Sequence, residues 1–364
     1  MTHAQADAEP EPSADSLRAE IRALWTQHGL STADFSLDQG GTLARGRRQT
    51  TGRAAFVSAM PATLVVRPVR RATVQDEPTA APVTQETLIA AGGMGLVHEG
   101  HQRSLRRQVA VKSLKPEVDN PEGVDALLRE AWLVGNLEHP NIVPIHLLDT
   151  SNGRSPQMVM KRIEGTTWAQ LLKDPDLARS YGADDLLEFH LRILIQVCQA
   201  VRYAHSRDVL HLDIKPENVM AGHYDEVYLV DWGLAVSVAE SCPAWMPHVA
   251  QLAAVCGTPG YIPPEMVAAD QMGIGPRTDV YLLGAVLHEV ISGSRRHAGD
   301  GVQKTLVNAY VSAPYVYDAS VPAERCAGPT LICWRPMASS TTVVESAFAS
   351  LVLGHHGTKT SQAF

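Results

Sequence analysis

His211-Leu212-Asp213-Ile214-Lys215-Pro216-Glu217-Asn218, with Asp231-Trp232-Gly233 shortly after it, puts two acids, an amide and a lysine into one short region. Such a set suits phosphoryl transfer. One carboxylate can accept a hydroxyl proton, while an asparagine and a second aspartate hold magnesium between neighbouring phosphates. Magnesium is a hard cation that prefers oxygen ligands and keeps several of its waters. Lys215 can neutralise charge that develops on the transferred group. A loop of solvated polar residues is the simpler alternative. Against it, Val209-Leu210, Val219-Met220 and Val227–Val230 bracket the polar positions with apolar, strand-like runs.

Upstream, Val109-Ala110-Val111-Lys112 places a lysine in an otherwise apolar strand. A desolvated ammonium is costly unless a counter-charge lies beside it. Glu130 stands at the edge of the buried face of the next helix, between Leu127 and Val134, and can supply that charge. Taken singly, each residue reads as an ordinary surface charge; their order after a glycine loop raises the reading. That loop is Ala90-Ala91-Gly92-Gly93-Met94-Gly95-Leu96-Val97. Glycines allow backbone N–H groups to approach phosphates closely. By itself the loop reads equally well as a tight hairpin.

The surrounding pattern predicts short strands at Leu88–Ala90, Gln108–Leu114, Ile142–Leu148 and Gln157–Ile163. A helix over about 122–137 interrupts them, with Asn120 as N-cap, Pro121 in the first turn, and Val124, Leu127, Leu128, Ala131 and Val134 on its buried face. Beyond Gly165 the spacing turns helical. Leu187, Leu191, Leu194, Val197, Val201 and Ala204 form one stripe, and Val280, Leu283, Leu287, Val290 and Ile291 another. Strands followed by helices imply two lobes with a cleft between them.

With these motifs in this order, the chain resembles the eukaryotic-like protein kinases of bacteria over about residues 87–293. Pro263-Pro264-Glu265, Glu138-His139-Pro140-Asn141-Ile142-Val143 and Asp279-Val280-Tyr281-Leu282-Leu283-Gly284 strengthen the resemblance. The implied fold is α+β and bilobal, with a small β-rich N-lobe over 86–163 and a larger helical C-lobe over 164–345. The implied activity is ATP- and Mg2+-dependent phosphorylation of serine and threonine on proteins, this chain included, in signal transduction. Asp213 would be the catalytic base and Lys215 the loop lysine. Asn218 and Asp231 would hold magnesium, and Lys112 with Glu130 would orient the α- and β-phosphates. Ile89, Gly92, Gly93, Met94, Gly95, Val97 and Ala110 would enclose the nucleotide. Met160 would stand behind the adenine, with the backbones of Lys161 and Ile163 bonding to it. Gly257-Thr258-Pro259-Gly260-Tyr261 would shape the substrate platform, with Thr258 near Asp213 and Lys215. Glu265 and Asp279 would anchor the helical lobe. A binding-only pseudokinase or scaffold is the main rival, and a small-molecule kinase is a weaker one.

The chain departs from the family pattern in four places. Ala90 replaces a glycine, Leu212 an arginine, and Trp232 a phenylalanine; the fourth is the chain's end, atypical after about Gly293. The arginine that usually pairs with the Glu265 position has no clear equivalent, since Ser339-Ser340-Thr341-Thr342 occupies its place and only Arg335 is near. From about Glu324 no helical stripe is visible, and 346–364 reads as a tail.

Residues 1–85 read as a mostly disordered arm with a short helix at 16–30. Arg45, Arg47, Arg48, Arg53, Arg67, Arg70 and Arg71 fit a solvated linker, with a partner or autoregulatory site as the alternative. A formal net charge of −8 over 364 residues argues against a nucleic-acid partner. Cys198, Cys242, Cys256, Cys326 and Cys333 are too scattered for a zinc or disulfide framework. Met1–Pro12 is polar and acidic, unlike a signal peptide, and no apolar run is long enough for a membrane span. A soluble, cytoplasmic protein is the expectation.

Overall fold

The computed structural model describes residues 82–312, apart from 94, 151–154, 253–254 and 272, and a few positions between 19 and 45. Among the latter, Ala19, Arg22, Ala23 and Thr26 are helical, and the Thr26 hydroxyl donates to the Arg22 carbonyl. Strands β1 (Phe35–Leu37) and β2 (Leu43–Arg45) pair antiparallel, an element that the polar, glycine-containing sequence there did not announce. Arg47, Arg48, Arg53, Arg67, Arg70 and Arg71 lie outside the described residues, as do Met94, Cys326, Cys333, Arg335, 339–342 and the tail.

Five strands form the first lobe: β3 (Val83–Ala91), β4 (Gly95–Gln102), β5 (Arg107–Leu114), β6 (Ile145–Asp149) and β7 (Gln157–Lys161). Their order in the sheet is β3-β4-β5-β7-β6, antiparallel throughout. Strand alternation sorts the residues by face. Val109, Val111 and Val159 pack with Val83 on one side, which leaves Ala110 and Lys112 on the other. Strand β4 was not among the expected strands, because His98, Glu99, Gly100 and His101 hide its alternation. Gly100 is required there: a Cβ would fall 2.4 Å from the Thr84 carbonyl oxygen. Register shifts in β3 at Gln85/Leu88 and Leu88/Ala90 break its own alternation, so Leu88 and Ile89 are both about half exposed.

Helix α1 (Pro121–Gly135) begins as expected, with the Asn120 side chain accepting from the Gly123 amide at 3.0 Å. Its buried face is rotated from the expected one: Glu130 and Leu133 are buried, while Val124 and Leu128 are only partly covered. Glu130 therefore lies within the packed face, not at its edge.

The second lobe opens with β8 (Gly165–Thr167), α2 (Trp168–Lys173) and α3 (Pro175–Ser180). Then comes α4 (Leu186–His205), capped by Asp185, whose buried residues include Phe189, Ile193, Leu194, Val197, Val201 and Ala204. After β9 (Val209–Leu210), β10 (Val219–Gly222) and β11 (Val227–Leu229), strand β12 (Val236–Ser237) returns to pair with β9. Helices α5 (Pro264–Val267), α6 (Pro276–Ser292) and α7 (Val302–Val311) complete the described lobe. The chain beyond Gly293 still builds core, since Leu306, Val307 and Ala309 of α7 pack with Leu210, Leu212, Val236 and Met266. The lobes share a larger core in which Leu133 and Val134 of α1 meet Ile142 and Leu229. At their junction Leu229 N–H donates to the Asn141 carbonyl, and the Asn141 amide donates to the Val227 carbonyl.

Candidate active site

Lys112, on the cleft face of β5, reaches both oxygens of Glu130 at 2.6 and 2.7 Å and lies 3.7 Å from Asp231 Oδ1. Burial works against the ammonium, but Glu130 and then Asp231 outweigh it, and the Lys112 pKa stands above its ordinary value. Partial removal from water would likewise raise the Asp231 carboxyl, although its side chain is half exposed. Lys112, with His211 and Lys215, reverses this and holds it below the usual carboxylate value.

The glycine loop closes as a tight turn, with Gly92 N–H donating to the Gly95 carbonyl at 2.9 Å. It lies against the lysine: a Cβ at Gly95 would come 3.1 Å from the Ser113 carbonyl oxygen and 3.3 Å from Lys112 Cε. The tight-hairpin reading of this loop therefore holds, and the turn lies over the lysine. Val97 is the cross-strand neighbour of Lys112, and Ala110 that of Met160, so the four share the cleft face. Ile89 sits on β3 just before the loop, and Gly93 within it is partly exposed. The Lys161 side chain is engaged by Glu226 at 2.7 Å and the Tyr228 hydroxyl at 2.6 Å, and its amide by the Pro144 carbonyl at 3.1 Å. Ile163 packs against the main core.

Below the cleft, the catalytic-loop candidates converge on Asp213. The Thr258 hydroxyl donates to Oδ1 at 2.7 Å, while Lys215 Nζ and Asn218 Nδ2 each lie 3.0 Å from Oδ2. Asn218 Nδ2 also donates to the Asp213 carbonyl at 2.8 Å. Asn218's nitrogen is thereby spent within the loop, which leaves its Oδ1 as the end suited to a cation. Lys215 completes the triangle by donating to Thr258 Oγ1 at 2.9 Å.

Two backbone positions hold this loop in place at some conformational cost. Leu212 and Asp231 both adopt left-handed conformations, φ 64° and 61°. Aspartate tolerates that region; leucine does so at a cost of roughly 1–2 kcal/mol. Asp279, fully buried in the first turn of α6, provides the restraint. Its carboxylate accepts from the amides of His211 and Leu212, each at 2.9 Å, and contacts His205 Nε2 at 2.8 Å. Its anchoring role was expected, but its acceptance of two consecutive loop amides was not. The available signal was an acid at the start of an apolar helical stripe. Leu212 itself fills the second core beside Leu210, Val236 and Val255.

Trp232 is buried and meets the His211 ring edge-on, with centroids 4.6 Å apart. Burial lowers the His211 pKa, despite the acids around it. Glu265, which lacked an arginine partner in the sequence, accepts from Thr278 Oγ1 at 2.9 Å.

The protein kinase domain family pattern matches residues 83–324. The chain is 31% identical over 242 residues to the serine/threonine-protein kinase PknD of Protochlamydia amoebophila, an alignment covering 60% of this chain and 24% of that protein. It is 35% identical over 221 residues to PknA of Mycobacterium tuberculosis, covering 59% of this chain and 48% of the relative. PknB of Mycobacterium leprae is 32% identical over 217 residues, with 58% and 33% covered. The chain thus matches less than half the length of these curated relatives. The family pattern spans most of the chain and every motif discussed above, and the chain belongs to the protein kinase family.

Proposed function

We propose that this chain transfers the γ-phosphoryl group of ATP to serine and threonine hydroxyls of proteins, itself among them, and that it does so in the cytoplasm. The observation that carries the reading is the joint arrangement of Asp213, held by Thr258, Lys215 and Asn218, and Lys112, held between Glu130 and Asp231. No helix of the described residues is long and apolar enough to cross a membrane. Names of the relatives, serine/threonine-protein kinases, favour the same substrate class.

In this reading Asp213 accepts the substrate hydroxyl's proton as that oxygen bonds to phosphorus and the bond to the ADP oxygen breaks. Lys215, fixed beside Asp213, neutralises the charge that develops on the moving group. Lys112 orients the α- and β-phosphates, and its ion pair to Glu130 keeps it aimed at the cleft. The donor set fits magnesium. Asn218 Oδ1 and the Asp231 carboxylate are hard oxygen ligands, and Asp231's lowered pKa keeps it ionised at neutral pH. Bound there, the ion would neutralise charge shared by the β- and γ-phosphates. Ile89, Gly92, Gly93, Met94, Gly95, Val97, Ala110 and Met160 would enclose the nucleotide. With the Lys161 amide occupied by Pro144, adenine would take the carbonyl of Lys161 and the backbone of Ile163.

The test is phosphate incorporation from radiolabelled ATP with magnesium, using a generic basic protein substrate and intact mass of the enzyme itself. Labelled serine or threonine that depends on magnesium supports the reading. Nucleotide binding without transfer would favour a scaffold.

A further inference from the structure

Residues 234–262 run from the metal-binding motif to the Pro-Pro-Glu motif and contain no lysine or arginine. Their hydroxyl side chains are Ser237, Ser241, Thr258 and Tyr261. Three of these are buried, and Ser241 alone is exposed. The residue before Asp213 is the uncharged Leu212. A phosphate added to this segment would find no cationic partner within it or at Leu212.

The described residues of the segment are nonetheless tied together. Ser237 N–H donates to the Pro247 carbonyl at 2.8 Å, and Val238 N–H to the Asp208 carbonyl at 2.9 Å. His248 Nε2 reaches the Ala239 carbonyl at 3.1 Å, and Met246 N–H donates to the Pro243 carbonyl at 2.9 Å. These bonds hold a loop that presents Trp245 to α1. There its ring meets Trp132 edge-on, with centroids 5.8 Å apart and planes at 69°. Trp132 lies two residues beyond Glu130, on the helix that delivers that carboxylate to Lys112.

Given the kinase reading proposed above, we infer that Trp245 is a positioning residue. Its contact with Trp132 holds α1, and with it the Lys112–Glu130 pair, in the working arrangement without any phosphate on the segment. An edge-on aromatic pair is directional, and its energy is of the scale that shifts a helix between two docked positions. The contact couples loop and helix through packing, which salt does not screen and a phosphatase cannot remove.

The experiment compares wild type, Trp245→Ala, Trp132→Ala, the double variant, Trp245→Phe and Ser241→Ala in initial-rate assays, with hydrogen exchange of the α1 amides. Trp245→Ala is expected to lower kcat/KM about tenfold and to speed α1 exchange at least tenfold. The double variant should lose no more than either single one, as coupled residues do. Trp245→Phe should stay within threefold of wild type, as should Ser241→Ala and phosphatase-treated enzyme. Trp245→Leu, which keeps apolar bulk, serves if the alanine variant does not fold. Losses that multiply in the double variant, unchanged α1 exchange, or a tenfold drop on dephosphorylation would each overturn the inference. If wild type transfers no phosphate, the kinase reading fails, and the α1 exchange comparison still decides the coupling.

Discussion

The Thr258 hydroxyl stands between the charges of Asp213 and Lys215, donating to the first at 2.7 Å and accepting from the second at 2.9 Å. All three side chains are buried. A single rotor therefore serves the Oδ1 of the one and the ammonium of the other, beside their direct contact at Oδ2.

Thr258→Val keeps the shape and removes the hydroxyl, leaving buried partners short of one bond each at roughly 1–3 kcal/mol. The expected result is a fall of tenfold or more in kcat with the Mg-ATP dissociation constant unchanged. Thr258→Ser should stay within a few-fold of wild type. Steady-state kinetics and calorimetric titration together check this.

Asp213 and Asp231 separate by what their loss does. Asp213→Asn removes the proton acceptor and no proposed nucleotide contact, so transfer should stop while Mg-ATP still binds. Asp231→Asn removes a charged metal ligand and a neighbour of Lys112, so magnesium-dependent binding itself should weaken. Near wild-type turnover by Asp213→Asn would rule out its assignment as base.

Asp279→Ala should be among the most damaging changes in the helical lobe. Two buried amides, His211 and Leu212, lose their acceptor, and a leucine at φ 64° loses what holds it there. A stability loss of about 3–5 kcal/mol is expected, by analogy with breaking one side of a buried polar network. Denaturant melts would measure it, and residual activity should fall further than the folded fraction.

Acid should destabilise the protein well above the carboxylate range. Burial pushes His190 and His288 down to about 4 and His297 to about 3, with Arg296 adding to the effect on the last two. Between the unfolded value of 6.5 and these values, the unfolded chain binds more protons. Stability is therefore full above pH 6.5 and falls as the pH drops toward 4. At pH 5 each ring costs on the order of 2 kcal/mol. His190 Nδ1 accepts from Trp168 Nε1 at 3.1 Å, a bond that protonation would break. His190→Asn offers an acceptor that does not titrate, so its Tm should fall less between pH 7.5 and pH 5.

Much of this architecture was legible because the chemistry is encoded locally. The Asn120 cap, the long apolar stripes of α4 and α6, and the polar loop between apolar strands each carry their signal within a few residues. Where the reading erred, longer-range packing decided. Strand β4 is polar in sequence and is held by neighbours on both sides. Glu130 is buried because α1 turns toward Lys112, which helical spacing cannot reveal. Asp279's grip on the loop amides and the meeting of Trp132 with Trp245 join positions far apart in the chain. Local composition offers the residues, Asp279 at the head of an apolar stripe among them, but not their partners.

Asp279 belongs at once to the helix packed on α4 and to the loop that carries Asp213. A copy whose helical lobe has begun to open must therefore release the loop as well. Damage by heat, acid or mutation should leave this protein silent in the cell, and not loosely active on the wrong targets.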